Sequence, residues 1–513
     1  MKVPKRASLG AQRPCRSLSV SCQHRRIGQP NVTLYSGSVW LRHLRPSSEP
    51  IAATGGLVTL RLTVIGTGYL GATHAACMAE LGFEVLGVDV DKEKIDSLSR
   101  GELPIHEPGL PELLRKHTES GRLRFTTSFE EAGAFGDVHF IAVGTPQRAG
   151  EHAADMTYVD ASVAAIARAA TKDSLIVGKS TVPVGSARRL KGLVADESPD
   201  GVTVNFAWNP EFLREGFAVE DTLRPDRLVI GVDSDAAEAT LREVYADAIS
   251  RDTPFITTDF ETAELVKVAA NAFLATKISF INAFSEVTET VGGNIRTLAD
   301  AIGLDARIGR RFLNAGIGFG GGCLPKDIRA LQARVSELGL DSTMRFLNEV
   351  DEVNLRRRDR AVHVAETLLG ALEGKRVAVL GVAFKPNSDD VRDSPALDVA
   401  ARLFNSGADV SVYDPAANAN AAKRYPRLNY VDSMETAVAD ADLVMLLTEW
   451  SEFVISDPTE LGAMVAHKRM FDGRNVLDHE KWNAAGWDIV SLGHKSELLE
   501  LAAANQRVTQ HWE

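Results

Sequence analysis

Residues 60–90 carry the pattern that most restricts how this chain can fold. A short apolar run at 62–65 passes directly into the sequence GTGYLG at 66–71, a helical stretch follows, and a second strand-like run at 84–88 ends in Asp89. Glycines in this spacing let the chain turn tightly, let a diphosphate approach the backbone, and let the helix pack closely on the strand. The pattern therefore predicts a Rossmann-type unit in which Asp89 binds a ribose 2′-hydroxyl, which favours NAD over NADP.

Further strands are predicted in the same half of the chain. Apolar runs ended by polar or glycine-containing residues follow at 138–143, 175–177 and 204–207. Because ligands bind at the carboxyl ends of the strands in an open parallel sheet, Thr145, Thr181 and Glu211 are expected around one crevice. A simple turn or helix cap remains the alternative interpretation for Thr181.

A segment without glycine or proline extends from 260 to 291. Its apolar residues recur at helical spacing, which predicts one long helix that can join two domains and pack against a second subunit. Lys267 and Asn271 are four residues apart and therefore share a face of this helix. They are candidate site residues, with a solvated helix flank as the alternative.

The chain from about residue 375 repeats the pattern of its first half. It contains strand-like runs at 377–385, 410–414 and 443–448. The GxGxxG sequence is absent, so we predict a second doubly wound domain that does not bind a dinucleotide in the same way. Lys385, Arg392 and Arg474 could hold phosphates at its strand ends, or could be ordinary surface cations.

Cys323 follows the glycine-rich segment 318–322 and precedes Pro325 and Lys326. If a helix begins near Pro325, the cysteine lies at its N-terminus, where the helix dipole lowers a thiol pKa, and Lys326 favours the thiolate further. The alternative is a buried, inert cysteine. The nearby cofactor pattern favours a reactive one.

Composition limits the remaining possibilities. The chain has 513 residues, too many for one core, and its 44% hydrophobic content is ordinary for a globular protein. A net charge of −12 argues against non-specific nucleic-acid binding, and four cysteines do not make a disulfide framework. No run of 18 apolar residues is present. We expect a cytoplasmic protein that binds no metal, nucleic acid or membrane.

Residues 1–57 differ from the rest of the chain. They are rich in arginine, serine and proline, have Glu49 as their single acid, and show no apolar period. This composition permits a transit peptide. Our preferred interpretation is an upstream start, with the functional chain beginning near Val58. In both cases the segment is expected to be disordered.

Seven motifs in a fixed order carry a resemblance to a known family. They are GTGYLG (66–71), STVP (180–183), NPEFLREG (209–216), KVAANA (267–272), RIGRRFLNAGIGFGGGCLPKD (307–327), GVAFKPNSDDVRDSP (381–395) and FDGR (471–474). From Val58 to about residue 492 the sequence resembles the UDP-glucose/GDP-mannose dehydrogenases. The resemblance implies an α/β fold of two Rossmann-type doubly wound domains joined by a long central helix. It also implies that two NAD oxidise a sugar CH2OH to a carboxylate at one active site.

Residues 1–57 have no counterpart in the family, and their composition together with the resemblance of the rest predicts four segments. They are a disordered basic extension at 1–57, an NAD-binding domain at 58–255, a central helical domain at 256–365 that carries the cysteine loop and dimerises, and a UDP-sugar-binding domain at 366–500. Cys323 would be the nucleophile that forms a thiohemiacetal and then a thioester, and Glu211 would be the acid and base in thioester hydrolysis. The implied catalytic residues are Cys323, Lys267, Asn271, Asp327, Glu211 and Thr181.

The resemblance also implies two sets of binding residues. The cofactor set is Gly66, Gly68, Tyr69, Leu70, Gly71, Asp89, Lys94, Thr145, Thr181, Glu215, Lys326 and Arg392. The substrate set is Glu211, Phe212, Leu213, Lys267, Asn271, Arg307, Asn314, Gly320, Phe384, Lys385 and Arg474. Arg307 would reach the neighbouring subunit's site, which implies a homodimer or a higher homo-oligomer.

The motif AFKPNSDDVRDSP points within the family to UDP-glucose, which would be converted to UDP-glucuronate. GDP-mannose or a UDP-N-acetylamino sugar is the alternative substrate, because the catalytic residues are shared. A two-electron dehydrogenase would not need Cys323. A non-catalytic nucleotide-sugar sensor would be expected to have lost one of the catalytic residues.

Overall fold

The computed structural model describes residues 60–102, 105–497 and 500. The predicted extension at 1–57 lies outside these residues. No helix within the described ranges is both long enough and apolar enough to cross a bilayer.

The first half of the described chain forms an eight-stranded sheet. Its strands are β1 (Arg61–Ile65), β2 (Glu84–Val88), β3 (Leu123–Thr126), β4 (Val138–Ile141), β5 (Ser174–Gly178), β6 (Val204–Trp208), β7 (Leu228–Gly231) and β8 (Phe255–Thr258). The spatial order is β3-β2-β1-β4-β5-β6-β7-β8, and only the β6–β7 pair is antiparallel among these neighbours. The helices of this half are α1 (Tyr69–Glu80), α2 (Lys92–Ser99), α3 (Leu110–Glu119), α4 (Phe129–Phe135), α5 (Thr157–Ala169), α6 (Ser186–Glu197), α7 (Ala218–Leu223), α8 (Asp235–Val244) and α9 (Ala246–Ser250).

Helices cover both faces of this sheet. Leu62 and Val64 of β1 belong to a buried cluster that includes residues of α1 and α3, whereas Ile65 belongs to a cluster with residues of α5 and α6. Successive side chains of a strand point to opposite faces, so a strand buried on both faces reads as a continuous apolar run. This is why the runs at 62–65 and 138–143 could be recognised as parallel strands.

The long helix predicted over 260–291 is confirmed as α10 (Phe260–Val291), with 32 residues. The Asp259 side chain accepts a hydrogen bond from the Thr262 N–H at 2.7 Å, which caps its N-terminus. Gly292, with φ 78°, ends it. Three helices follow, α11 (Ile295–Gly303), α12 (Leu324–Glu337) and α13 (Phe346–Leu369). An apolar cluster shared by α10, α12 and α13 includes Val268, Ile328 and Leu347.

The last part of the described chain forms a six-stranded parallel sheet. Its strands are β9 (Arg376–Leu380), β10 (Asp409–Tyr413), β11 (Asn429–Tyr430), β12 (Leu443–Leu446), β13 (Arg469–Asp472) and β14 (Asp488–Ser491). The helices are α14 (Pro395–Asn405), α15 (Asn418–Arg424), α16 (Met434–Val438), α17 (Ser451–Val454), α18 (Pro458–Gly462) and α19 (His479–Ala484). The order β11-β10-β9-β12-β13-β14 repeats that of β3-β2-β1-β4-β5-β6. The predicted α/β fold with two doubly wound domains is therefore confirmed.

In both domains the acid that follows the second strand hydrogen-bonds to the loop after the first strand. Asp89 Oδ2 accepts the Thr67 N–H at 2.9 Å, and Asp414 Oδ2 accepts the Val382 N–H at 2.7 Å. Asp414 is only 3% exposed and also accepts a hydrogen bond from Trp450 Nε1 at 3.2 Å. The second domain thus keeps the fold of the first with its acid enclosed.

The glycine-rich segment before Cys323 lies against a loop of the second domain at distances that exclude side chains. A Cβ added to Gly320 would lie 2.3 Å from the Asp393 carbonyl oxygen, and one added to Gly322 would lie 2.3 Å from Arg392 Cζ. The Gly321 N–H donates to the Arg392 carbonyl oxygen at 2.9 Å. These glycines allow the start of α12 to sit directly against the loop at 384–395.

Candidate active site

The loop at 66–71 has the geometry that a dinucleotide diphosphate needs. A Cβ added to Gly71 would lie 1.7 Å from the Gly66 carbonyl oxygen, so the close packing of helix on strand requires glycine there. Gly68 precedes α1, and the position of its missing Cβ has no neighbouring atom within 4 Å. Open space therefore faces the N–H groups of a helix N-terminus, where phosphates bind. Leu70 packs on the apolar core of the domain.

Asp89 lies beside this loop. Its Oδ2 accepts the Thr67 N–H at 2.9 Å and Lys94 Nζ at 2.8 Å, and its Oδ1 accepts the Asp91 N–H at 3.1 Å. Burial raises the pKa of the Asp89 carboxyl, but the hydrogen bonds from Lys94, Asp91 and Thr67 outweigh burial and leave the pKa lowered. Asp89 is thus held as a charged acceptor where a ribose hydroxyl would lie. These residues fit NAD.

Tyr69 is joined to a residue that the sequence did not single out. Its hydroxyl donates to Glu107 Oε2, and the same carboxylate accepts the Gly216 N–H at 2.6 Å and the Ala218 N–H at 2.7 Å. Burial first, and Glu107 second, raise the pKa of Tyr69. Glu107 therefore connects the cofactor loop to the segment 209–218. A buried carboxylate in an irregular segment has no periodic signal in sequence.

Thr145, Thr181 and Glu211 follow the adjacent strands β4, β5 and β6, as predicted. Thr145 Oγ1 donates to the Thr181 carbonyl oxygen at 2.8 Å. Glu211 Oε1 accepts the N–H groups of Phe212 at 2.7 Å and of Leu213 at 3.0 Å. Lys179 Nζ lies 3.1 Å from Glu211 Oε2, so both oxygens of this carboxylate have partners.

Cys323 directly precedes the first residue of α12, which confirms the predicted helix N-terminus. The expected lowering of its pKa is wrong. The thiol reaches solvent, but the protein around it removes enough water to raise its pKa, and the nearby Asp327 charge adds to this effect. Lys267 and Lys326 oppose the shift without cancelling it. Burial and a neighbouring carboxylate therefore outweigh the two lysines.

Asp327, one turn into α12, is 2% exposed. Its Oδ2 accepts Asn271 Nδ2 at 2.6 Å, and its Oδ1 accepts Lys326 Nζ at 2.6 Å. Asn271 is buried on α10, so the solvated-flank interpretation does not apply to it. The structure thereby joins the face of α10 predicted to carry site residues to the cysteine helix.

Lys267, one turn before Asn271, lies above the face of the Phe212 ring, with Nζ 5.6 Å from the ring centroid. Arg227 Cζ lies 4.0 Å from the same centroid. Two cations therefore contact one aromatic ring, an arrangement that restrains the ring and the lysine together. The ring belongs to the segment 209–216, so Lys267 is placed by this loop as well as by its helix.

Glu215 connects the first domain to the second. Its Oε1 lies 3.3 Å from Arg392 Nη2, and its Oε2 accepts Ser388 Oγ at 3.2 Å. Burial and the Asp390 charge raise the pKa of Glu215 to about 7, although Arg392 opposes this shift. The Glu215 charge also contributes to the raised pKa of Cys323, so this carboxyl group and the thiol interact electrostatically.

The proposed phosphate-binding side chains of the second domain also face this region. Arg474 Nε donates to the Leu447 carbonyl oxygen at 2.7 Å, and Nη1 donates to that of Gly318 at 3.0 Å, so Arg474 is not an ordinary surface cation. The pKa of Lys385 is lowered, because burial outweighs the opposing effect of the Glu215 charge. The Phe384 ring occupies the position that a Cβ on Gly321 would need.

Two predicted substrate residues are not brought to this group within one chain. The Arg307 side chain is 89% exposed and pairs with Asp305 at 2.6 Å. Asn314 is exposed and accepts a hydrogen bond from Arg310 Nη1 at 2.8 Å. The assignment of Arg307 to the site therefore remains a prediction that depends on a second subunit, and the assignment of Asn314 also remains a prediction.

Three models of one protein family match this chain. The "UDP-glucose/GDP-mannose dehydrogenase family, NAD binding domain" matches residues 60–249. The central domain of that family matches 261–356, and its UDP binding domain matches 378–479. Together these matches cover most of the described chain.

Individual members of this family are also similar to this chain. A UDP-glucose 6-dehydrogenase of Bacillus subtilis is 41% identical over 438 residues, which are 85% of this chain and 98% of that protein. One of Rhizobium meliloti is 41% identical over 437 residues, which are 85% of this chain and 99% of the relative. The solved UDP-glucose dehydrogenase of Pyrobaculum islandicum superposes with a TM-score of 0.79 at 39% identity and covers 86% of this chain and 100% of that chain. The UDP-D-ManNAc dehydrogenase of Pyrococcus horikoshii gives 0.73 at 27% identity and covers 85% and 99%.

The first prediction concerns Asp89 and cofactor choice. We expect kcat/KM at least about tenfold higher with NAD than with NADP, and Asp89→Asn should reduce this ratio at least about fivefold. The variant loses the charge that repels a 2′-phosphate and frees Lys94, now 2.8 Å from Asp89, to meet that phosphate. Asp91→Asn is the control, because asparagine still caps α2. Equal use of both cofactors by the wild type, or an unchanged ratio in Asp89→Asn, would contradict the prediction.

The second prediction concerns Glu215. Its pKa is raised from 4.5 to about 7, so the native state holds the proton more tightly than the unfolded state does. The resulting stability is complete below about pH 4.5 and is lost as the pH rises through about 7. Glu215→Gln cannot lose this stability. The melting temperature of the variant minus that of the wild type should therefore increase by roughly 2–4 °C or more between pH 5 and pH 8. The exposed Glu220→Gln is the control, and a constant difference would refute the assignment.

Proposed function

The chain belongs to the UDP-glucose/GDP-mannose dehydrogenase family, and we propose that it oxidises UDP-glucose to UDP-glucuronate with two NAD. The observation that carries the proposal is the meeting of Cys323 with the Asn271–Asp327 pair and Lys267 between two Rossmann-type domains. We assign residues 58–255 to NAD binding, 256–365 to the helical core with the cysteine loop, and 366–500 to UDP-sugar binding. A cytoplasmic location is proposed because a nucleotide sugar and NAD are both used there.

The relatives support UDP-glucose over a sister substrate. Proteins named UDP-glucose 6-dehydrogenase are about 41% identical to this chain, whereas the solved UDP-D-ManNAc dehydrogenase is 27% identical. GDP-mannose and the UDP-N-acetylamino sugars remain the alternative substrates that a direct test would include. A sensor without activity is disfavoured because Cys323, Lys267, Asn271 and Asp327 are all present.

Bound NAD would accept one hydride in each of the two oxidations. The first oxidation converts the C6 alcohol to an aldehyde. The Cys323 sulfur then bonds to C6, and the resulting thiohemiacetal keeps a C–H bond and a hydroxyl that the second oxidation converts to a thioester. Water adds to the thioester carbonyl, the C–S bond breaks, and the carboxylate and the thiol are released. Lys267 and Asn271 are positioned to stabilise negative charge on the C6 oxygen.

Proton transfers in this scheme fall to two carboxyl groups whose charges act on the thiol. Because the pKa of Cys323 is raised, the thiol must lose its proton as its sulfur bonds to C6, and Asp327 is close enough to contribute to that raised pKa. Glu215, with a pKa of about 7, can hold or release a proton at neutral pH during hydrolysis. Glu211, implied by the resemblance for this role, has a partner at each oxygen, as Glu215 has in Arg392 and Ser388. We assign proton transfer in hydrolysis to Glu215 because its pKa is raised, and to Glu211 the orientation of the loop and of water.

The third prediction concerns electron count. At exhaustion, each UDP-glucose should yield one UDP-glucuronate and two NADH, measured by chromatography and absorbance. Cys323→Ala should abolish the acid product and keep most of the affinity for UDP-glucose, because the thiol supplies chemistry rather than binding. Cys77→Ala is the matched control, since Cys77 is a buried cysteine outside the site.

One NADH per sugar, or acid formation by Cys323→Ala at near wild-type rate, would show that the cysteine mechanism is wrong. Turnover of only GDP-mannose or UDP-N-acetylmannosamine would identify the sister substrate.

The proposed homodimer is supported by an apolar stripe on α10. Exposed apolar residues recur along one side of this helix, at Phe273, Phe280, Phe284, Val287 and Val291. The rings of Phe280 and Phe284 are 4.7 Å apart and leave a continuous apolar surface. Such a stripe on a helix that otherwise packs inside the protein is typical of a subunit interface. Dimerisation through it would bury these rings and would give Arg307 a partner's site to reach.

The fourth prediction follows from this stripe. Phe280→Lys should convert the dimer to monomer in light scattering and should reduce kcat/KM, because a completed site needs Arg307 from the neighbouring subunit. The matched control is Ile455→Lys, which places the same charge at an exposed apolar position of the second domain. A monomeric wild type with full activity would exclude the dimer as a functional requirement.

A further inference from the structure

Lys179 is a buried lysine for which the roles described so far give no explanation. It directly follows β5, and its side chain is only 4% exposed. A lysine ammonium loses its hydration in such a position, and this is costly unless partners replace the water. Other residues that follow strands at this edge of the sheet form the site. The role of Lys179 therefore depends on which residues its ammonium group contacts.

The ammonium of Lys179 is directed at the start of the segment 209–216. Nζ donates to Asn209 Oδ1 at 2.9 Å, lies 3.1 Å from Glu211 Oε2, and lies 3.5 Å from Tyr245 Oη. The face of the Phe140 ring, at 5.8 Å, adds a further contact. Burial lowers the pKa of Lys179, but the Glu211 charge and Tyr245 outweigh burial, so the pKa is raised. Lys179 therefore stays charged and paired.

The contacts of Glu211 extend from this lysine toward the reacting groups. The carboxylate that meets Lys179 through Oε2 accepts, through Oε1, the N–H groups of Phe212 and Leu213. The Phe212 ring in turn lies below Lys267 Nζ. A continuous series of contacts thus leads from the domain interior to Lys267.

We propose that Lys179 is a positioning residue that fixes the Glu211 carboxylate and, through it, the Phe212–Leu213 backbone beside the sugar site. This role rests on the proposed oxidation of UDP-glucose. It differs from a purely structural role in one respect. If Lys179 acts only through Glu211, its removal has no further effect on the reaction once Glu211 has lost its charge.

The test is a double-mutant cycle in the full-length protein with Lys179→Met, Glu211→Gln and the double variant. Each single variant should lose at least about tenfold in kcat while the Kd for NAD stays within about threefold. Both should accumulate the thioester on Cys323, seen as added mass on the protein during turnover. The double variant should fall within about threefold of Glu211→Gln, because the two side chains act as one unit.

The double variant also separates positioning from stability. It has no unpaired buried charge, so its melting temperature should exceed that of Lys179→Met. If Lys179→Met does not fold, the comparison of Glu211→Gln with the double variant decides alone. Lys172→Met is the matched control, because Lys172 forms an ion pair with Asp137 in the same domain outside the site. It should keep wild-type kcat.

Three results would overturn the proposal. They are losses in kcat that multiply in the double variant, a Lys179→Met variant with near wild-type kcat, and an equal loss in Lys172→Met. A wild type that makes no UDP-glucuronate would contradict the proposed function instead. Failure of the role of Lys179 and failure of the oxidation are therefore distinguishable.

Discussion

The contact between the glycine-rich segment 318–322 and the loop 384–395 is the constraint on which the site depends. At Gly320 and Gly322 an added Cβ would lie 2.3 Å from the Asp393 carbonyl oxygen and from Arg392 Cζ, so the loop lies directly against the glycine backbone. This approach places the N-terminus of α12, and with it Cys323, against the second domain. Glu215 then reaches Arg392 from the first domain. Three parts of the chain meet near the thiol because the glycine-rich segment has no side chains that would hold the loop away.

Buried charges hold the remaining groups, and each joins elements that are distant in sequence. Asp327 binds Asn271 of α10, and Glu107 binds the backbone at Gly216 and Ala218. Arg329 of α12 pairs with Asp393 of the loop 384–395 at 3.0 Å. Buried charges recover little net stability after desolvation, but removal of their partners is costly. They restrict the geometry of the site more than they stabilise the fold.

The sequence predicted the features that depend on periodic burial or on glycine geometry. The strands at 62–65 and 84–88, the helix over 260–291 and the doubly wound second domain are present because apolar period and backbone freedom are local properties. The pKa of Cys323 was predicted in the wrong direction, since the helix N-terminus is visible in sequence whereas the burial and the Asp327 charge come from tertiary packing. Lys179 and Glu107 were missed for the same reason. The predicted role of Arg307 needs a second subunit, so the contacts within one chain do not test it.

The hydrogen bonds of Asp414 show how the second Rossmann-type domain differs from the first. The two sheets share one strand order, and both return an acid to the first loop, as expected of copies of an ancestral unit. In the second copy, Asp414 Oδ2 accepts Trp450 Nε1, and Oδ1 accepts the N–H groups of Ala416 and Ala417. Restoring the missing glycines alone would not recover a ribose-binding carboxylate, because Asp414 is only 3% exposed and is hydrogen-bonded to the buried Trp450 side chain. A dinucleotide site in that copy would need an accessible carboxylate as well as the glycines.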